Sequence, residues 1–174
     1  MTARLDYRKF SKEPLKALLD LEAYLAQCGL DPKLLHMIKL RASQINGCAY
    51  CIDMHWKDAR AAGETEQRLY GLDAWRESPY YTDRERAALE WTESLTLIAS
   101  THAPDEAFAA VKAQFSEKEI VDLTYAISTI NSGTGSRFPC VMCRAITSRR
   151  RNLRRQAERP KKISSPYTVF RTHN

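Results

Sequence analysis

The chain has 174 residues, 44% of them hydrophobic, which suits one packed domain and excludes a disordered chain. No apolar run approaches the ~20 residues that span a bilayer, and MTARLDYRKFSKEP lacks the apolar stretch of a signal peptide, so a cytosolic protein is expected. The formal charge of +6 is unevenly spread: residues 1–131 hold 16 Lys and Arg against 20 Asp and Glu, whereas 132–174 hold 11 Lys and Arg against the single acid Glu158.

The first predicted helix runs from Glu13 to Gln27, with Leu15, Leu18, Leu19, Leu21, Ala23 and Leu25 broadly at helical spacing, and Gly29 ends it. Asp31-Pro32 supplies an N-cap and a proline at the first helical position. The helix it opens turns Leu34, Leu35, Ile38, Ala42 and Ile45 toward a core, until Asn46-Gly47 stops it. Cys48 to Ala62 forms a third helix, and Thr65 to Leu72 a short one. Thr82 or Asp83 caps a longer helix through Ala99, with Ala87, Ala88, Trp91, Leu95 and Ile98 on its apolar face. A short helix ends at Gln114. Ser116-Glu117-Lys118-Glu119 is a capping box, which opens a last helix through Ile130. No segment alternates long enough for a strand, so the expected fold class is all-α. Ser132-Gly133-Thr134-Gly135-Ser136 is expected to break the last helix. This divides the chain into a helical domain, 1–131, and a basic tail, 132–174, that reads as disordered on composition.

Cys48-Ala49-Tyr50-Cys51 is a CxxC motif followed by His55. Because Asn46-Gly47 ends the preceding helix, Cys48 falls at the start of the next, where open N–H groups and the helix dipole favour a thiolate. At this spacing the second sulfur can reach the first to close a disulfide. Cys51 and His55 are one turn apart on one face, so the imidazole can take the thiol proton. A thiolate attacks the terminal oxygen of a hydroperoxide and becomes a sulfenic acid, which a neighbouring thiol converts to a disulfide. An external dithiol then reopens it. The alternatives are inert helical cysteines or half of a zinc site completed by Cys140-Val141-Met142-Cys143. The 88 residues between the pairs are far more than a compact zinc ribbon uses. No metal and no tightly bound cofactor is expected.

Residues 34–63, LLHMIKLRASQINGCAYCIDMHWKDARAAG, closely resemble the core of the alkylhydroperoxidase AhpD-like proteins of the carboxymuconolactone decarboxylase superfamily. The resemblance continues through SPYYTDRERAALEWTESLTLI and SEKEIVDLTYAISTIN. It implies an AhpD-like helical bundle assembled into trimers or hexamers, and a peroxidase or disulfide-reductase activity. It also implies roles: Cys51 as the peroxidatic thiol, Cys48 as the resolving thiol or exchange point, His55 as the proton-relay partner, and a lipoylated protein as one source of the dithiol. The family often has a glutamate twelve residues before the first cysteine, where this chain has His36. Histidine can shuttle protons near neutral pH; the alternative is an ordinary polar residue on the helix. His102 and His173 are assigned no role. The branch that decarboxylates a lactone does not depend on a CxxC pair, so the pair argues against that activity. A redox sensor or scaffold on the same fold stays open.

The family continues past its last helix with a motif like WNRLAIS…VPG.Y.P, where this chain reads SGTGSRFPCVMCRAITSRR. Joining the third base of each codon to the first two of the next permits W-N-R-L-A-I-S-V-R-N-V-P-G-N-Y-Q-P from Ser132 onward. The single codon of Met142 forces a valine where the motif has one. A frameshift near Ser132 is therefore expected, with Cys140, Cys143 and Arg149–Arg151 as accidental residues. Gene sequencing checks this, and an intact frame with no family ending in another frame sinks it. The rival use of the tail is nucleic-acid binding, which predicts a steep salt dependence. It is weakened by the acidic helical part and by few aromatics beyond Tyr167 and Phe170.

Overall fold

In the computed structural model the helices are α1 (Tyr7–Phe10), α2 (Lys12–Leu25), α3 (Pro32–Ile45), α4 (Ala49–Ala61), α5 (Glu66–Tyr70), α6 (Asp83–Thr96), α7 (Ile98–Thr101), α8 (Asp105–Gln114) and α9 (Glu117–Arg137), with a 3-10 turn at Gly71–Ala74. The structure describes residues 7–10 and 12–137. Every regular element among them is helical, in agreement with the all-α reading.

The helix starts follow from local chemistry. Asp31 accepts a hydrogen bond from the Lys33 N–H at 2.8 Å, and Pro32 sits in the first turn of α3. Thr65 caps α5. Thr82, rather than Asp83, caps α6 in a reciprocal box with Glu85. At α9 the Glu119 carboxylate accepts from the Ser116 N–H at 2.9 Å, while Ser116 Oγ accepts from the Glu119 N–H at 3.4 Å. Caps of this kind are each worth about 1 kcal/mol.

Helix α3 is the centre of the bundle and packs against α4, α6 and α9; α6 also packs against α8 and α9, and α2 against α9. The main core holds Ile38, Leu40, Leu72, Leu89, Leu123 and Ile127, all fully buried. A second, smaller cluster joins Ala42, Cys48, Cys51 and Ile130, with Tyr50 partly buried against it. The cysteines therefore have their own apolar compartment where α3, α4 and α9 meet. On the flank, the Glu93 carboxylate accepts from Arg41 Nε at 2.8 Å, Trp75 Nε1 at 2.8 Å and Arg76 Nη2 at 2.9 Å. This ties α3, the 3-10 turn and α6 together.

Two expectations are corrected. The segment Ser132–Ser136 does not break the last helix, since α9 continues to Arg137. A helical glycine costs only about 1 kcal/mol relative to alanine, and contacts outweigh that here. Asn131 accepts from Asn46 Nδ2 at 2.8 Å and donates to Thr96 Oγ1 at 3.4 Å, and Thr134 is buried. Second, α6 stops at Thr96 instead of running through Ala99, so Ile98 turns outward and is 53% exposed. His102 closes α7 in a left-handed conformation. The rest of the tail, with its cysteine pair and arginines, lies outside the described residues. Among the described residues no helix is long and apolar enough to cross a membrane.

Candidate active site

The site begins with a turn. Gly47 has φ +63, a left-handed conformation that side chains rarely adopt. It lets the Cys48 N–H bond the Ser43 carbonyl at 3.1 Å and the Gly47 N–H bond the Gln44 carbonyl at 3.0 Å. These two bonds close α3 in a Schellman motif and leave Cys48 as the N-cap of α4, where its sulfur accepts from the Cys51 N–H at 3.3 Å. The Cys48 sulfur thus sits at the open N-terminus of a helix.

Cys48 and Cys51 are paired as a disulfide with Cα atoms 5.3 Å apart, inside the range such bridges use. Cys51 is 1% exposed and Cys48 7%. The Cys51 sulfur lies 3.7 Å from Thr134 Oγ1. His55, one turn after Cys51, is buried. His36 comes from α3 and its ring centroid is 6.2 Å from that of His55. Burial lowers the His36 pKa below the ordinary value, with Lys39 adding to the effect and Asp58 and Glu22 opposing it.

Cys51, His55 and His36 border one cavity of about 300 Å³ set between α2, α3, α4 and α9. Its wall is apolar: Leu15, Leu18 and Leu19 from α2, Met54 from α4 and Ile130 from α9. Its polar groups also include Glu22, Lys39, Asp58 and Thr129. Lys39 Nζ is 2.5 Å from Glu22 Oε2, and the lysine side chain is 8% exposed. Leu19, at 57% exposure, stands at the outer edge. Pockets of this size hold small ligands by an apolar wall and a few placed polar groups.

Sequence reasoning thus named four residues that the fold brings together: Cys51, His55 and His36 on the cavity, and Cys48 bonded to Cys51. It missed Thr134, Asp58 and the α2 wall. Asp58 had a signal, since it is three residues after His55 and shares its face. Thr134 had none, because it is 83 residues from Cys51 and belongs to a segment expected to lie outside the helix.

Residues 12–94 match the carboxymuconolactone decarboxylase family. The uncharacterized protein YdfG of Bacillus subtilis is 46% identical over 132 residues, covering 76% of this chain and 90% of YdfG. The uncharacterized protein YnjA of Escherichia coli is 31% identical over 103 residues, covering 59% and 56%. A crystal structure from Agrobacterium tumefaciens, of a protein of unknown function proposed to be the antioxidant defence protein AhpD, is similar with a TM-score of 0.76 and 47% identity, covering 79% of this chain and 94% of that one. An uncharacterized peroxidase-related protein from Silicibacter sp. TM1040 matches with a TM-score of 0.66 at 22% identity, over 76% and 71%, a likeness of fold alone.

Proposed function

Because the chain belongs to the carboxymuconolactone decarboxylase family, in its AhpD-like group, we propose that it is a thiol-dependent peroxidase cycling between a dithiol and a disulfide at Cys48 and Cys51. The observation that carries this is the placing of Cys51 between a cavity and its partner sulfur, with His55 one turn on and bordering the same cavity.

In the proposed cycle the reduced protein binds a hydroperoxide with its organic group along Leu15, Leu18 and Met54. His55 takes the Cys51 proton. The thiolate attacks the terminal peroxide oxygen, the O–O bond breaks, and the alcohol leaves with the proton His55 returns. Cys51 is then a sulfenic acid. The Cys48 thiol attacks that sulfur, its proton leaves with the displaced hydroxyl as water, and the disulfide forms. Two electrons from an external dithiol, such as a lipoyl group on a protein, restore the thiols through a mixed disulfide. His36 passes protons between His55 and the outer part of the cavity. The apolar wall favours an alkyl hydroperoxide over hydrogen peroxide.

The test is consumption of cumene hydroperoxide by the full chain with dithiothreitol and, separately, with a reduced lipoyl carrier. A rate no better than the dithiol alone supports the redox sensor or scaffold reading instead. Within that assay, Thr134→Val removes the hydroxyl beside the Cys51 sulfur. We expect turnover to drop about fivefold, the worth of one ordinary hydrogen bond, with the melting temperature nearly unchanged. Equal rates in the two proteins refute a part for Thr134.

Assembly into trimers or hexamers, as the family resemblance implies, is part of the same proposal. Leu97, Ile98, Phe108, Val121 and Tyr125 are each 44–53% exposed, and apolar surface of this kind suits subunit contacts. Sedimentation velocity reads the mass, and a monomer at every concentration rejects assembly.

A further inference from the structure

Beside the disulfide lies a second chemical group of residues. One ligand atom from each of His36, His55 and Asp58 lies within 4.8 Å of the other two. His55 and Asp58 occupy one face of α4 at i and i+3, and His36 faces them from α3. His36 Nδ1 is buried without a hydrogen-bond partner, a costly state for a polar atom that a ligand would relieve. Two imidazoles and a carboxylate are a donor set for first-row divalent metals at sites with three protein ligands and an open position. A tetrahedron on ~2.1 Å bonds has edges of ~3.4 Å, so small side-chain rotations close the set. The Lys39 ammonium, which would repel a cation, is occupied by Glu22 at 2.5 Å. The cavity leaves room for water or another ligand on the open side.

We propose that His36, His55 and Asp58 bind one divalent first-row cation, with zinc(II) the ion that fits the donor set. This site is separate from the cysteine pairs considered in the sequence. A cation held there takes the lone pair of His55. On the peroxidase reading above, on which this consequence rests, His55 cannot hold the cation and serve as the base for Cys51 at the same time.

The test is calorimetric titration of zinc chloride into the full chain in its disulfide form, where Cys48 and Cys51 cannot ligate. We expect one zinc per chain, binding weakened at least tenfold by His36→Ala and by Asp58→Asn, and no change in a Cys140→Ser/Cys143→Ser variant. Cobalt(II) should show visible ligand-field bands without a thiolate charge-transfer band. Asp58→Asn keeps the size of the side chain, so its result holds even if His36→Ala folds poorly. Unchanged affinity in both the His36 and Asp58 variants, loss of binding in the cysteine variant, or no stoichiometric binding overturns the proposal. None of these readouts uses peroxide turnover, so a failure here is distinct from a failure of the peroxidase reading.

Discussion

Cys51→Ser should lower peroxide consumption by roughly a thousandfold or more, to the background of the dithiol alone. The thiol has an ordinary pKa of about 8.5, within reach of a neighbouring imidazole, whereas a serine hydroxyl stays protonated and attacks peroxides poorly. The replacement is conservative in shape, and the Thr134 hydroxyl 3.7 Å away can bond an oxygen as well as a sulfur. Loss of activity in a protein that melts normally therefore reports chemistry and not folding. Cys48→Ser should behave differently. Its Cys51 still forms a sulfenic acid once, detectable by dimedone labelling and mass spectrometry, but no disulfide follows and catalysis with a dithiol slows. Persistent full turnover in Cys51→Ser sinks the assigned roles. An inactive Cys48→Ser that never forms the sulfenic acid would exchange them.

The parts of this site that were readable in the sequence are those whose geometry is local. Cys48, Cys51 and His55 sit on consecutive turns of one helix, and Asn46-Gly47 marks where that helix begins. Chain spacing alone therefore places sulfur, sulfur and imidazole near one another. His36 was legible only through resemblance, because its approach to His55 depends on how α3 packs against α4. The α2 wall was readable as an apolar stripe, but periodicity does not say whether leucines face a core or a cavity. Here Leu25 is buried in the core while Leu15, Leu18 and Leu19 border the cavity. Thr134 was hidden by a propensity argument. Two glycines and two serines among Ser132–Ser136 suggest a break, yet helix propensity is a weak term. The Asn46–Asn131 bond and the buried Thr134 hold α9 in register past that point.

Glu93→Ala should be strongly destabilising although it lies away from the cavity and outside the apolar core, costing about 2–4 kcal/mol in folding free energy. The Glu93 side chain is 17% exposed and that of Arg41 13%, so deleting the carboxylate leaves a guanidinium and the Trp75 indole N–H short of a partner in a half-dry setting. Arg41 keeps Gln44 at 3.2 Å and Asp73, which is why the cost stays below that of a fully buried pair. The same hub has a pH signature. Burial by itself raises the Glu93 pKa, but the hydrogen bonds from Trp75, Arg41 and Arg76 outweigh it and hold the group below its ordinary 4.5. A carboxylate depressed in the folded state binds fewer protons there than in the unfolded chain. Its stabilisation is therefore complete well above pH 4.5 and lost as the pH falls through the lower, folded-state value. Glu93→Gln, which keeps an acceptor oxygen but cannot titrate, should be less stable than the parent at neutral pH and lose less on acidification. Calorimetric melting across that range checks this: the gap between the two proteins should narrow below pH 4.5. A gap that stays constant with pH means the hub contributes no charge-dependent stability, and that the three donors around Glu93 serve packing alone.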